Sequence, residues 1–203
     1  RKHLDVVERK MSSQNWQSIN YETVPSKANL NYNKAFLRND EERRRAYLNA
    51  LTKGEAKINS SVSNPCDIVH KYCENEWNTY PRSRDALPNL VTDDSSTIVV
   101  ADGSGSMCTR VGRTSMTALE VANSLAIYFA ERAKGAYKGR YITFSAHPQM
   151  VNVNYDSLYA NLREAARHNE CANTNLEAVF DLILDTAIKN HSPQSDLPKN
   201  ILI

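Results

Sequence analysis

One stretch decides the fold of this chain: Thr97-Ile98-Val99-Val100-Ala101, followed by Asp102-Gly103-Ser104-Gly105-Ser106-Met107. An apolar, β-branched run that ends in a polar loop is typical of a buried parallel strand with polar side chains at its carboxyl end. Glycine alternates with Asp102, Ser104 and Ser106, so three oxygen-bearing side chains can converge. Such oxygen ligands suit Mg²⁺ or another hard cation. The same residues also form turns, so a plain strand-to-helix turn stays an alternative.

Other functions of this loop can be weighed from its spacing. A phosphate-binding loop needs a downstream Gly-Lys-Ser/Thr, and none follows. A nucleophile elbow needs Gly-x-Ser-x-Gly, whereas Gly103 directly precedes Ser104. A phosphoryl-accepting aspartate would have a second acid two residues after Asp102, where Ser104 stands. Asp93 and Asp94 precede the strand and should lie at its opposite end. We therefore predict no enzymatic activity and keep a metal-dependent hydrolase as the third alternative.

The composition limits the class of protein. The chain has 203 residues, a net charge of +2 and four cysteines. These cysteines are too few for a disulfide framework, so we expect reduced thiols and a cytoplasmic location. No apolar run reaches the ~18 residues of a membrane span, and no signal peptide is visible. The chain begins at Arg1 and stops in a strand-like 200–203, so we expect a fragment at both ends.

Residues 1–90 are predicted to form an α-helical region. The predicted helices are 26–38, 40–53 and one that opens at Pro65. Asp40 is expected to cap the second of these helices, and Gly54 is expected to end it. Residues 80–96 are rich in Pro, Asn, Asp and Ser, which predicts a linker.

Residues 91–203 alternate between strand and helix patterns, which predicts an open α/β sheet. The predicted strands are 97–101, 141–145, 150–153 and 200–203, and the predicted helices are 115–134, 156–168 and 174–190. The last helix carries an apolar stripe at helical spacing, formed by Leu176, Val179, Phe180, Ile183, Leu184 and Ala187. Ligands of such sheets bind at the carboxyl ends of the strands, where Asp102 is expected.

Thr174 stands at the start of the last predicted helix, and its role has two interpretations. Thr174-x-x-Glu177 fits a capping box, in which the threonine hydroxyl accepts a backbone N–H. Thr117-x-x-Glu120 fits the same pattern at an earlier helix. Alternatively, Thr174 supplies a further oxygen to the Asp102 loop.

Asp102-x-Ser104-x-Ser106 together with Thr174 resembles the metal-ion-dependent adhesion site (MIDAS) of von Willebrand factor A (vWA) domains. Longer stretches resemble the vWA part of Ro/TROVE-type proteins, and still more a family of uncharacterised TROVE-related proteins with a helical region before the vWA domain. These stretches are 99–107, 142–148 and 173–184, with 32–36 and 54–59 resembling the helical region. The resemblance implies a Rossmann-like vWA open sheet over 91–203, C-terminally truncated, preceded by a TROVE-related α-helical region over 1–90.

The same resemblance implies the roles of the site residues. Ser104, Ser106 and Thr174 would bind the ion directly, and Asp102 would act through water. A further aspartate is expected beyond Ile203. The expected ion is Mg²⁺, or another divalent cation such as Mn²⁺ or Ca²⁺, with weak affinity or an empty site in this chain. One carboxylate among four ligands leaves the ion electropositive, so it would recruit a carboxylate from a protein partner. The expected function is a non-enzymatic, metal-dependent protein-binding module without membrane contact.

Binding of structured RNA is the alternative function, because Ro-type proteins bind RNA through a helical region. Its candidate residues are Arg38, Arg43, Arg44 and Arg45. Acidic residues interleaved with these arginines favour instead a solvated helix with internal ion pairs. Zinc is a further alternative, because Cys66, His70 and Cys73 fall on one helical face, although no fourth ligand is identifiable.

Overall fold

The computed structural model describes residues 5–59, 64–73, 96–169 and 173–203. The chain divides into two compact units, Arg1–Pro88 and Asn89–Ile203. Most of the predicted linker, with Asp93 and Asp94, lies outside the described residues. In the part of the chain that is described, no helix is long and apolar enough to cross a membrane.

The described part of the first unit is helical. Its helices are α1 (Val7–Ser12), α2 (Ser26–Asn31), α3 (Asn33–Asn39), α4 (Glu41–Lys53) and α5 (Pro65–Cys73), with 3₁₀ turns at Trp16–Ser18 and Tyr21–Thr23. The single helix predicted over 26–38 is two helices that break at Tyr32. Gly54 ends α4 in the left-handed conformation, with φ of 77°, as predicted.

Asp40 precedes α4 but does not cap it with its side chain. Its Oδ2 atom instead accepts a hydrogen bond from the Tyr21 hydroxyl at 2.6 Å and one from Arg43 Nη1 at 2.9 Å. Burial and this bond to the Asp40 carboxylate raise the pKa of Tyr21. Asp40 therefore ties α4 to the Tyr21–Thr23 turn.

The core of the first unit forms around aromatic rings. Its buried members are Val7, Ile19, Tyr21, Val24, Phe36, Tyr47, Leu48 and Leu51. The rings of Tyr21 and Phe36 pack edge to face with centroids 5.3 Å apart, and Tyr21 stacks on Tyr47 at 5.5 Å. Offset and edge-to-face pairs at such distances are the favoured aromatic arrangements.

The second unit is a mixed α/β structure with an open sheet. Its strands are β1 (Thr97–Ala101), β2 (Arg140–Thr143), β3 (Met150–Asn152) and β4 (Asn200–Leu202), and its helices are α6 (Ala118–Arg132), α7 (Leu158–Arg167) and α8 (Leu176–Lys189). The strand order is β3-β2-β1-β4. β1 pairs in parallel with β2 and β4, while β3 is antiparallel to β2. The α/β prediction is confirmed at this level, and β1 occupies an inner position.

Helices cover both faces of β1. Ile98 and Val100 pack in one cluster with Val179 and Ile183 of α8. The alternate residues of β1 point to the other face, where Val99 and Ala101 line a cavity with residues of α6. Parallel strands covered on both faces have continuous apolar sequences, which explains the run at 97–101.

The Thr117 capping box is confirmed at the start of α6. Thr117 Oγ1 accepts the Glu120 N–H, and Glu120 Oε2 accepts the Thr117 N–H. Replacing Thr117 by alanine should lower the free energy of unfolding by about 1 kcal/mol, because an N–H at the helix start loses its acceptor. Urea unfolding would measure the change. Thr117→Ser keeps the hydroxyl and is the control; an equal loss in both variants would contradict a capping role.

Candidate metal site

Asp102 follows β1 directly and begins the candidate metal loop, which we define as Asp102–Ser106. Asp102 Oδ1 accepts the Ser104 N–H at 2.8 Å. This hydrogen bond closes a turn and holds the carboxylate against the backbone of the loop. The hydroxyls of Ser104 and Ser106 are hydrogen-bonded to each other, with their Oγ atoms 2.9 Å apart. Asp102 and Ser104 are half-buried, whereas Ser106 is exposed. The three predicted oxygen-bearing side chains therefore belong to one compact loop that solvent can reach.

Two backbone hydrogen bonds bring the start of α8 to the edge of the sheet where this loop lies. Phe144 N–H donates to the carbonyl of Ala101 at 2.9 Å, which places the end of β2 beside the loop. Asn175 N–H donates to the carbonyl of Ser145 at 3.2 Å, which places the segment before α8 next to the end of β2. Thr174 is thereby held at the same edge as Asp102.

Thr174 is not the cap of α8. Asn175 takes that role, because its Oδ1 accepts the Ala178 N–H at 3.1 Å. The capping interpretation is therefore wrong for Thr174, although it is right for Thr117. Thr174 is exposed, and its hydroxyl has no hydrogen-bond partner among the described residues. The Thr174 hydroxyl oxygen therefore accepts no backbone N–H at the start of α8.

The donor set of the loop fits a hard cation. Neighbouring ligands of an octahedral Mg²⁺, each about 2.1 Å from the ion, are about 3 Å apart. The hydrogen-bonded separation of Ser104 Oγ and Ser106 Oγ, 2.9 Å, is also compatible with that spacing. Within the described ranges, no group of three or more His, Cys, Asp or Glu side chains could hold a metal ion. An ion here would depend on hydroxyl oxygens and on the one carboxylate of Asp102.

Ser145 is a residue at this edge that sequence reasoning missed. Its side chain is buried, and its Oγ has no hydrogen-bond partner in the described part of the chain. A buried hydroxyl without a partner is unfavourable, which marks a place where a polar ligand or water would be stabilised. Its signal in the sequence was a polar residue at the end of the predicted strand 141–145.

The RNA-binding candidates are mostly engaged inside the first unit. Arg43 donates to the carbonyls of Trp16 and Ile19 at 3.0 and 2.7 Å and pairs with Asp40. Arg45 pairs with Glu41 at 2.8 Å on the surface. These contacts agree with the interpretation of internal ion pairs. Arg38 is exposed, and it has no ion pair or side-chain hydrogen bond among the described residues.

Arg44 is a core residue, which corrects its assignment as an RNA ligand. Its guanidinium is fully buried and donates to Asn29 Oδ1 at 2.8 Å and to Asn33 Oδ1 at 2.9 Å. Three aromatic rings lie 5.0 to 5.3 Å from its Cζ atom, those of Tyr21, Phe36 and Tyr47. A buried guanidinium of this kind cannot reach an external phosphate.

Cys66, His70 and Cys73 lie on α5 as the sequence predicted. Cys66 is half-buried, and burial raises the pKa of its thiol, which disfavours the thiolate that zinc requires. Cys73 is exposed. These residues form no metal-binding group within the described part of the chain, so the zinc alternative gains no support.

Comparisons with known proteins give families without an assigned activity. The family model described as a domain of unknown function, DUF2828, matches residues 1–103, and that of a second, DUF7788, matches residues 96–203. An uncharacterised protein of Acanthamoeba polyphaga mimivirus is 29% identical to this chain over 93% of its length. The chain spans only 35% of that viral protein. No solved structure matches.

Proposed function

Because the chain belongs to the DUF2828 and DUF7788 families, whose descriptions assign no activity, we propose its function from the Asp102 loop. The protein is a non-enzymatic module that binds a divalent cation, Mg²⁺ or a similar ion, and uses it to engage a carboxylate of a protein partner. One observation carries the proposal: Ser104 Oγ and Ser106 Oγ stand at the spacing of adjacent Mg²⁺ ligands, beside a carboxylate at the end of an inner parallel strand.

Two further features support this function. The Thr174 hydroxyl is at the same sheet edge and takes no part in capping α8. The pattern formed by Asp102, Ser104, Ser106 and Thr174 resembles the MIDAS of vWA domains of the Ro/TROVE-related type. In that arrangement the hydroxyls of Ser104, Ser106 and Thr174 would hold the ion directly, and Asp102 would hold it through water.

The charge of the loop accounts for partner binding. Asp102 is the single carboxylate among the four ligands, so a bound divalent ion keeps a net positive charge. Ser106 and Thr174 are exposed, which leaves the ion accessible from solvent. A carboxylate of a partner would complete the coordination and neutralise the charge. None of these residues has the geometry of a nucleophile with its base, so the site binds rather than reacts.

Removing the charge of Asp102 should weaken cation binding roughly 10- to 100-fold. The variant Asp102→Asn is suited to this test, because its amide oxygen can still accept the Ser104 N–H and keep the loop. Thr174→Val removes one hydroxyl ligand and should weaken binding in the same way. Calorimetric titration of the 203-residue chain with Mg²⁺, and with Mn²⁺ followed by electron paramagnetic resonance, would measure the affinity.

Asp196→Asn provides the matched control. Asp196 lies before β4, at the amino ends of the strands, and so away from the loop. Its substitution should leave the affinity unchanged. Carboxylate recruitment is tested by adding acetate to the Mn²⁺-loaded chain and following water proton relaxation, which should fall as acetate displaces water. Unchanged ion binding in both Asp102→Asn and Thr174→Val would refute the proposed site.

A further inference from the structure

Helix α8 exposes a row of large apolar side chains. Leu176, Phe180, Leu184 and Ile188 follow one another at intervals of four residues and are 44, 49, 53 and 70% exposed. Side chains four residues apart lie on successive turns of one helix face. The neighbouring face of α8, about 100° around the helix axis, packs in the core through Val179, Ile183 and Ala187. The stripe predicted from the sequence is therefore two rows, of which only one packs against the sheet.

An acidic row accompanies the exposed apolar row. Glu177, Asp181 and Asp185 each follow an exposed apolar residue by one position, and all three are exposed. None of them has an ion-pair partner among the described residues. The outward face of α8 thus combines large apolar side chains with three carboxylates that are four residues apart. We refer to Leu176, Glu177, Phe180, Asp181, Leu184, Asp185 and Ile188 as the α8 surface.

We infer that the α8 surface docks an amphipathic helix of a partner protein that carries an apolar row beside a row of Lys or Arg. Adjacent rows of apolar and charged residues match the way that two helices pack side by side, with flanking charges that select the partner. Contiguous exposed apolar side chains in a soluble protein mark interaction sites. The inference rests on α8 alone and does not require the cation site.

Charge favours this occupant over others. A basic row would meet Glu177, Asp181 and Asp185 with opposite sign, which raises the association rate and fixes the register. A second copy of α8 would bring three more carboxylates to the same seam, where like charges oppose packing. Nucleic acid and anionic lipid headgroups carry the same sign as the acidic row and are repelled by it.

The test uses two synthetic helical peptides that differ only in charge. Both carry leucines at four- and three-residue spacing, flanked by lysine in one peptide and by glutamate in the other. Fluorescence anisotropy with the 203-residue chain in EDTA should show at least tenfold tighter binding of the lysine peptide, weakening as salt rises. EDTA removes the cation site from the measurement, so failure here and failure of the proposed function are distinguishable.

Variants then assign the binding to α8. Phe180→Ser with Leu184→Ser should weaken binding of the lysine peptide at least tenfold. Glu177→Gln with Asp181→Asn and Asp185→Asn should abolish the preference for the lysine peptide over the glutamate peptide. The control Val111→Ser with Tyr155→Ser changes two other exposed apolar residues of the same unit and should have no effect. Because all these positions are exposed, circular dichroism should show an unchanged fold.

Three results would overturn the inference. Equal affinity for both peptides would remove the charge argument, and full binding by the Phe180→Ser, Leu184→Ser variant would place the peptide elsewhere. The third result concerns self-association, which sedimentation velocity would measure. If the wild-type chain dimerises and that variant is monomeric, a second copy and not a basic helix covers the α8 surface.

Discussion

Replacing Arg44 by alanine should lower the free energy of unfolding of the first unit by about 3–5 kcal/mol. Arg44 is fully buried, so its removal leaves a void and takes the hydrogen-bond donors away from Asn29 Oδ1 and Asn33 Oδ1. It also removes a desolvated cation from the three surrounding rings, an interaction of about 2 kcal/mol when shielded from water. The change acts on the hydrogen bonds and the packing of the aromatic core together.

Urea unfolding followed by tryptophan fluorescence would measure this loss. Both tryptophans, Trp16 and Trp77, fall within the first unit, so the signal reports that unit. The matched control is Arg45→Ala, at the next position of α4, where the exposed pair with Glu41 contributes less than about 1 kcal/mol. Similar destabilisation by the two variants would contradict a special role for Arg44.

Replacing Ile142 by alanine should destabilise the second unit by about 2–5 kcal/mol. Ile142 is fully buried in β2, between β1 and β3, and packs in the cluster that contains Ile98 and Val100. The milder variant Ile142→Val removes one methylene and should cost about 0.5–1.5 kcal/mol. Because β2 leads into Ser145 at the candidate metal site, loosening this strand should also weaken cation binding.

Hydrogen exchange of peptides that cover β1 and β2 would report the stability of the sheet, since the second unit contains no tryptophan. Ile188→Ala is the control, because Ile188 is 70% exposed and its truncation should change stability by no more than about 0.5 kcal/mol. If Ile142→Ala were as mild as Ile188→Ala, the assignment of Ile142 to the core would be wrong.

Features set by short-range patterns could be predicted from the sequence. The apolar run at 97–101 gave a strand, and Thr117 with Glu120 gave a capping box, because both depend on residues within one turn or one strand. The same capping pattern predicted a cap correctly at Thr117 and wrongly at Thr174, because it considers only residues within one helical turn. Asn175 is an equally good cap, and its backbone bond to Ser145, distant in sequence, shifts the helix start by one residue.

Two other differences arise from the choice between helix faces. The consecutive arginines 43–45 form a basic run in the sequence. Arg44, however, lies on the buried face of α4 together with Tyr47, Leu48 and Leu51. That spacing was visible in the sequence and would have marked Arg44 as inward-facing. The apolar stripe of α8 contains no such signal. A helix face that packs on the sheet and a helix face that is exposed can have the same apolar composition, so the sequence alone did not separate the two rows.

The pairing of β1 with β4 sets the order in which the two units can form during synthesis. Thr97 pairs with Asn200, so the strand that presents Asp102 lacks one neighbour until the residues of β4 have been made. Loop closure over so long a segment is slow, whereas the helical contacts of the first unit are mostly local. During synthesis, the first unit can therefore fold before β1 has both of its parallel neighbours, and the edge of β1 that pairs with β4 stays open until β4 emerges.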